Sequence, residues 1–177
     1  MNYPRAYINY LVHFHGDRDY FECHEELEEH WKLVDTGNKA SHWVGLIQIA
    51  VALYHQRRGN FKGASRTFEK AINIITKQKE RIHDLGIQTD HLLEILKKKL
   101  HDTKNQSQYE SITLPIYDKN LLKLCISECN RLGIQWGKKS DIDNEYLVHK
   151  HKLRDRSDVI AERERQIKCK QQNNSKL

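Results

Sequence analysis

The segment Tyr20-Phe21-Glu22-Cys23-His24-Glu25-Glu26-Leu27-Glu28-Glu29-His30-Trp31 has the composition of a helix and sorts its side chains by face. At about 100° per residue, one face carries Tyr20, Phe21, His24, Leu27, Glu28 and Trp31. Glutamates 22, 26 and 29 fall on the opposite face, as expected for a solvated surface. His24 and Glu28 therefore lie one turn apart within an aromatic and aliphatic face, where burial is unfavourable unless each finds a partner.

Apolar periodicity on both sides of this segment predicts an all-α protein, a compact helical bundle of about five helices with a C-terminal helical extension. The 177 residues include only eight glycines and two prolines, which argues against a strand-and-turn architecture. We expect a bundle core over residues 1–104, a linker and helical hairpin over 105–149, and a basic, flexible tail over 150–177. The five core helices are predicted at about 4–15, 18–33, 41–58, 61–83 and 89–103.

Capping residues and side-chain polarity refine these helices. Asp17 is the expected N-cap of the second helix, and Asn60 and Asp118 are expected to cap the helices that follow them. The lysines at 97–99 are expected to face solvent, opposite the leucines of their helix. Trp136 is expected to dock the later hairpin onto the core.

Charge and apolar run length constrain the class of protein. The net charge is +6, and the segment 150–177 contributes nine Lys or Arg against four Asp or Glu. The basic character therefore belongs mainly to that segment, which lacks the aromatic residues used to stack on bases, so nucleic-acid binding is not favoured. No apolar run approaches the roughly 18 residues of a membrane span, and the first residues lack a signal-peptide pattern. We expect a cytoplasmic protein with no membrane partner; whether it forms a homo-oligomer stays open.

His24 and Glu28 are suitable metal ligands, since an imidazole and a carboxylate at i and i+4 point the same way. The most apolar helix would add His55 as a third ligand, a set that suits Zn²⁺, Mn²⁺ or Fe²⁺. Gln48 and Glu25 are candidates for a fourth ligand or for groups that orient the first three. Remaining positions on the metal would hold water, which is the starting point of hydrolytic chemistry.

We expect the site to be a partly enclosed pocket covered by Trp31 or Tyr54. Several known motifs are excluded: position 28 is Glu, so the H-E-x-x-H of zinc proteases is absent, as are the P-loop, G-x-S-x-G and G-x-G-x-x-G. Cys23 is not favoured as a nucleophile, because it points about 100° away from the neighbouring His24.

A non-enzymatic interpretation stays open beside the metal site. The same residues would form a buried hydrogen-bond network that fixes how the helices align. The protein would then be an interaction module, with its basic segment available to an acidic partner.

Two blocks of sequence resemble the bacterial and archaeal family of domain of unknown function 309. His24, Glu28 and Trp31 match its H-x-x-x-E-x-x-W motif, and the stretch from Gly45 to Ala64 matches its second block. The resemblance covers about residues 5–80 and implies a small helical bundle whose motif has been suggested to bind metal. It names no reaction.

Overall fold

Helices account for most of the chain in the computed structural model, which describes residues 3–153. Within this range none of the residues belongs to a strand, although Ile87 and Ile116 form one isolated antiparallel bridge. None of the described helices is long and apolar enough to cross a membrane. The predicted all-α class is confirmed. The helices are α1 (Arg5–His15), α2 (Tyr20–Val34), α3 (His42–Arg57), α4 (Phe61–Lys77), α5 (Lys79–Asp84), α6 (Thr89–Lys104), α7 (Lys119–Arg131) and α8 (Glu145–Leu153).

Helix α3 is apolar around most of its circumference and lies at the centre, packed against α2 on one side and α4 on the other. Gly45 allows α3 and α4 to approach closely. A Cβ atom there would lie 3.1 Å from Ile74 and 3.2 Å from Ile75, so any larger residue would force these side chains to move. Helix α1 packs against α2 and α7, and α6 packs against α4.

Local side-chain chemistry sets most helix starts. Asn60 and Asp118 cap α4 and α7 as predicted, each accepting a hydrogen bond from a backbone N–H of the first turn. Helix α2 instead starts two residues after the predicted position, because its N-cap is Asp19. Asp17 accepts a hydrogen bond from the backbone N–H of Asp19, so it shapes the turn before the helix. The helix predicted at 61–83 is divided at Gln78 into α4 and α5.

The segment after α6 changes the environment of one predicted surface residue. Lys99 is only 7% exposed, whereas it was expected to face solvent with its neighbours. Tyr109 explains the difference: the ammonium of Lys99 lies 5.8 Å from the centre of the Tyr109 ring, and burial lowers the Lys99 pKa. The Tyr109 hydroxyl also lies 2.6 Å from that of Tyr20, so this segment packs on the bundle.

Two buried arginines join the irregular segments to the bundle. The guanidinium of Arg18 donates to the carbonyls of Phe14, Ile112 and Lys138 at 2.7–2.8 Å. Arg57 donates in turn to the carbonyl of Arg18, and also to the hydroxyl of Ser140 and the carbonyl of Leu147. The two side chains thus provide hydrogen-bond donors to backbone carbonyls from several parts of the chain.

Helix α7 and the turn after it are held mainly by α1. Glu128 pairs with Arg131 of its own helix and with Arg5 of α1, and these cations lower the Glu128 pKa to about 2. Trp136 docks as predicted, stacking on His15 at 4.5 Å between ring centres.

Helix α8 occupies the start of the segment that was predicted to be a flexible tail. Lys150 is nearly buried and pairs with Asp19 at 2.5 Å and with Glu22 at 2.7 Å. Residues 150–153 are helical, and these ion pairs hold them against the start of α2. The rest of the predicted tail, residues 154–177, lies outside the described residues.

The burial of His15 generates a prediction about acid stability. The side chain is 1% exposed, neither ring nitrogen has a hydrogen-bond partner among the described residues, and burial, with the nearby Arg18 charge, lowers the His15 pKa to about 3. Between about pH 6.5 and 3, His15 is therefore protonated in the unfolded chain and neutral in the folded chain. The free energy of unfolding consequently decreases as the pH falls through that range. His15→Phe should remove up to about 1.4 kcal/mol per pH unit of this loss.

Urea unfolding at pH 7 and pH 4 measures the effect. The exposed histidine variant His91→Phe serves as the control, because its side chain meets the same solvent in both states. An unchanged pH dependence in His15→Phe would contradict the assignment of acid sensitivity to this ring.

Candidate metal centre

Helix α2 presents its candidate ligands on the flank of its buried face. Tyr20, Cys23 and Leu27 are the side chains that α2 buries fully. The side chains of His24, Glu25 and Glu28 are 32%, 32% and 31% exposed. His24 and Glu28 were expected inside an apolar face, but the buried face is rotated toward Cys23, so they and Glu25 are accessible to water and to dissolved ions.

The imidazole of His24 lies between two carboxylates. Its Nδ1 is 3.0 Å from Oε1 of Glu25, and its Nε2 is 3.1 Å from Oε2 of Glu28. One nitrogen or oxygen atom from each of the three residues lies within 4.8 Å of the others. Among the His, Cys, Asp and Glu side chains of the described residues, these three form the group that could share a metal ion.

The charges around His24 determine what this group can do chemically. A neutral imidazole carries one N–H, so only a protonated ring can donate to both carboxylates at once. A cation that replaces the proton on Nε2 would sit between this nitrogen and Glu28, while Nδ1–H continued to donate to Glu25. A carboxylate that holds the second nitrogen of a ligating histidine is common in metal sites.

Lys32 is a member of this cluster that was not predicted. Its ammonium lies 2.9 Å from Oε1 of Glu28, the oxygen that does not face His24. The signal was present in the sequence, since Lys32 follows Glu28 by four residues and such pairs meet on a helix surface. Because it competes for the same carboxylate, Lys32 would weaken the attraction of Glu28 for a cation.

His55 and Gln48 do not join the cluster in this structure. His55 Nδ1 lies 3.1 Å from the side-chain nitrogen of Asn60, which donates to it because the Asn60 oxygen accepts from Gly63. The group of potential ligands that lie within 4.8 Å of one another consists of His24, Glu25 and Glu28, so it does not include the predicted third ligand, His55. Gln48 lines a groove between α3 and α4 instead.

The predicted cover of the site is also arranged differently. The Trp31 indole donates to the carbonyl of Asn38, which holds the loop after α2. Tyr54 is buried, and its hydroxyl lies 2.7 Å from Nδ1 of His151 in α8. These partners place Tyr54 in the contact between α3 and α8, so the site on α2 is an open flank.

Comparison with known proteins identifies the family. Residues 7–67 match the family described as "Domain of unknown function (DUF309)". A relative from Bacillus subtilis (strain 168), the "Uncharacterized protein YpuF", is 47% identical over 165 residues, which are 93% of this chain and 95% of the relative. The chain belongs to the DUF309 family. No solved structure matches it.

The similarity extends well beyond the two blocks that suggested the family. It was recognised over about residues 5–80, whereas the match to YpuF covers nearly the whole chain. The sequence of this DUF309 protein beyond residue 80 is therefore also similar to that of a relative. Neither the family description nor the relative's name supplies a reaction, so the chemistry has to be argued from the residues.

The cysteines of this DUF309 protein do not provide a nucleophile in the described structure. Cys23 is fully buried, its thiol faces the carbonyl of Tyr10 at 3.5 Å, and burial raises the Cys23 pKa. Burial likewise raises the pKa of Cys125 to about 12 and raises that of Cys129. The thiolate is the reactive form, so these positions are unsuited to attack a substrate.

We predict that these three thiols resist alkylation until the protein unfolds. Native protein exposed to iodoacetamide at pH 8 should label Cys23, Cys125 and Cys129 far more slowly than urea-unfolded protein, as measured by peptide mass spectrometry. If Cys23 in the native protein were labelled as fast as in the unfolded chain, the prediction would be wrong and Cys23 would again be a candidate nucleophile.

Proposed function

We propose that this protein binds a divalent cation on the flank of α2, through Nε2 of His24 and a carboxylate oxygen of Glu28. The supporting observation is the convergence of three donor groups within 4.8 Å. Glu25 would hold the opposite ring nitrogen, which orients the imidazole and makes it a better ligand. Nitrogen and oxygen donors of this kind suit Zn²⁺, Fe²⁺ and Mn²⁺, and affinity is expected to decrease in that order.

The openness of the flank extends the proposal to hydrolysis. Two protein ligands leave other positions on the metal for water, and a bound divalent cation lowers the pKa of such water. The site would then supply a hydroxide at neutral pH to an electrophile that reaches it from solvent. Exposure of about a third for each of the three side chains is consistent with access of this kind.

The alternative function, an interaction module with a structural polar network, receives less support. The polar contacts of His24 and Glu28 with Glu25 and Lys32 lie within α2. Contacts within one helix cannot align that helix with another. A register-fixing network would instead use groups such as Arg18 and Arg57, which do join separate elements.

A cytoplasmic location is part of the proposal. Three of the four cysteines lie in the described structure, and all three are free thiols. Proteins of reducing compartments characteristically keep their cysteines in this form.

Thermal melts with added cations test the metal site. A cation that binds only the folded protein should stabilise it by about 2.7 kcal/mol at a hundredfold excess over its dissociation constant. The rise in melting temperature should be largest with Zn²⁺ and should disappear with chelator. Glu28→Gln should abolish the rise while costing at most about 1 kcal/mol without metal, since the replaced contacts are half-exposed.

Matched variants on the same helix sharpen the test. Glu29→Gln removes one charge from an exposed position and should leave the metal-dependent rise intact. Lys32→Gln removes the cation that competes for Glu28, so it should strengthen metal binding several-fold. If no cation changes the melting temperature of the wild-type protein at pH 7.5 and metal analysis of protein purified without an affinity tag finds none, the metal site is wrong.

A further inference from the structure

A groove between α3 and α4 has the composition of a ligand site and is separate from the flank of α2. Its volume is about 460 Å³, within the range of small-molecule sites. Its walls contain three lysines, two side-chain amides and a short apolar floor, and no carboxylate among the residues that line it. The lining residues are Lys39, Ala40, Val44, Gln48, Lys70, Asn73, Ile74 and Lys77.

The fold explains why this groove exists. Gly45 lets α3 lie close to α4, and Val44 and Ile74 flank that contact, so the floor of the groove is apolar and half-buried. The loop after α2 forms one end of the groove. It is fixed there because the Gln78 side chain donates to the carbonyl of Ala40 at 3.1 Å. The walls of the groove are thus two packed helices and a loop that is fixed by a hydrogen bond.

The cations of the groove are not neutralised by the protein. Lys39, Lys70 and Lys77 are exposed, and none of them forms an ion pair within residues 3–153. The nearby carboxylate of Glu69 in α4 pairs instead with Lys104 of α6. Glu69 is thereby drawn to α6, which leaves the lysine-rich face of α4 positive. Three like charges around one concavity repel each other unless an anion neutralises them.

We propose that this groove binds a small organic phosphate of mononucleotide size. Lysine ammonium groups are point charges that hold phosphate, whereas a carboxylate ligand is favoured by the planar fork of arginine, which the lining lacks. Val44 and Ile74 offer an apolar surface to the body of the ligand. Gln48 and Asn73 offer amide groups that can each donate and accept, as the hydrogen-bonding edge of a base requires. The proposal does not depend on metal binding at α2.

Isothermal titration calorimetry with the full chain at low ionic strength tests this assignment, with adenosine 5′-monophosphate (AMP) as the probe. AMP should bind with one-to-one stoichiometry, inorganic phosphate should bind more weakly, and adenosine should not bind measurably. We expect this order because the phosphate group contacts the lysines, and the nucleoside contacts the apolar floor and the amides. Lys70→Gln and Lys77→Gln should each weaken AMP binding roughly fivefold to tenfold, as expected for a lost contact to a charged group. Gln48→Met should weaken AMP without changing the affinity for inorganic phosphate.

Lys62→Gln provides the matched control, because Lys62 is an exposed lysine of α4 that does not line the groove. It should change AMP affinity by less than about twofold. Four results would overturn the proposal. The first two are the absence of AMP binding at millimolar concentration, and binding of adenosine or inorganic phosphate as tightly as AMP. The others are a loss of AMP affinity in Lys62→Gln equal to that in Lys70→Gln or Lys77→Gln, and a single-stranded oligonucleotide that binds more tightly than AMP and depends on Lys62. The last result would assign the positive face of α4 to an extended polyanion.

Discussion

The guanidinium of Arg18 is the contact on which the arrangement of the irregular segments depends. Arg18 adopts a left-handed backbone conformation, with φ of 60°, which is unfavourable for a residue with a Cβ atom. The surrounding contacts compensate for it: its side chain binds three carbonyls from separate parts of the chain, and its own carbonyl accepts from Arg57. Because Arg57 also binds the start of α8, these two charges connect α1, α3, α8 and both long loops.

The surface of α2, the helix that follows Arg18, has two flanks with different roles. On one flank, Asp19 and Glu22 bind Lys150 and so serve the docking of α8. On the other flank, His24 and Glu28 interact with Glu25 and Lys32 of the same helix. The acidic residues of the first flank contribute to the assembly of the fold. Those of the second can change their partners without disturbing the packing of other helices, which is what exchange of a ligand requires.

Local chemistry made much of this fold predictable from the sequence. The apolar period located the helices, and Asn60 and Asp118 cap theirs because a capping carboxamide or carboxylate acts within its own turn. The burial of Lys99 was not predictable, because it depends on Tyr109 in a segment without periodicity.

The candidate site was predicted only where its contacts are local in the sequence. His24 and Glu28 meet because they are neighbours on one helix. Their exposure was misjudged because the buried face of α2, which consists of Tyr20, Cys23 and Leu27, is centred about 60° from the centre of its aromatic pattern. The contact of His55 with Asn60 was not predicted, because it becomes visible only when the turn between α3 and α4 is known.

The stacking of Trp136 on His15 gives the molecule an optical property of its own. The protein has three tryptophans, and two of them touch imidazole rings: Trp136 touches His15 at 4.5 Å, and Trp43 touches His30 and His42 at 4.8 and 4.4 Å. A protonated imidazole quenches indole emission, and burial lowers the pKa of all three histidines. We therefore expect the intrinsic fluorescence of the folded chain to fall when acid protonates these imidazoles, so that it reports, without any added dye, when acid reaches the hairpin around Trp136 or the start of α3.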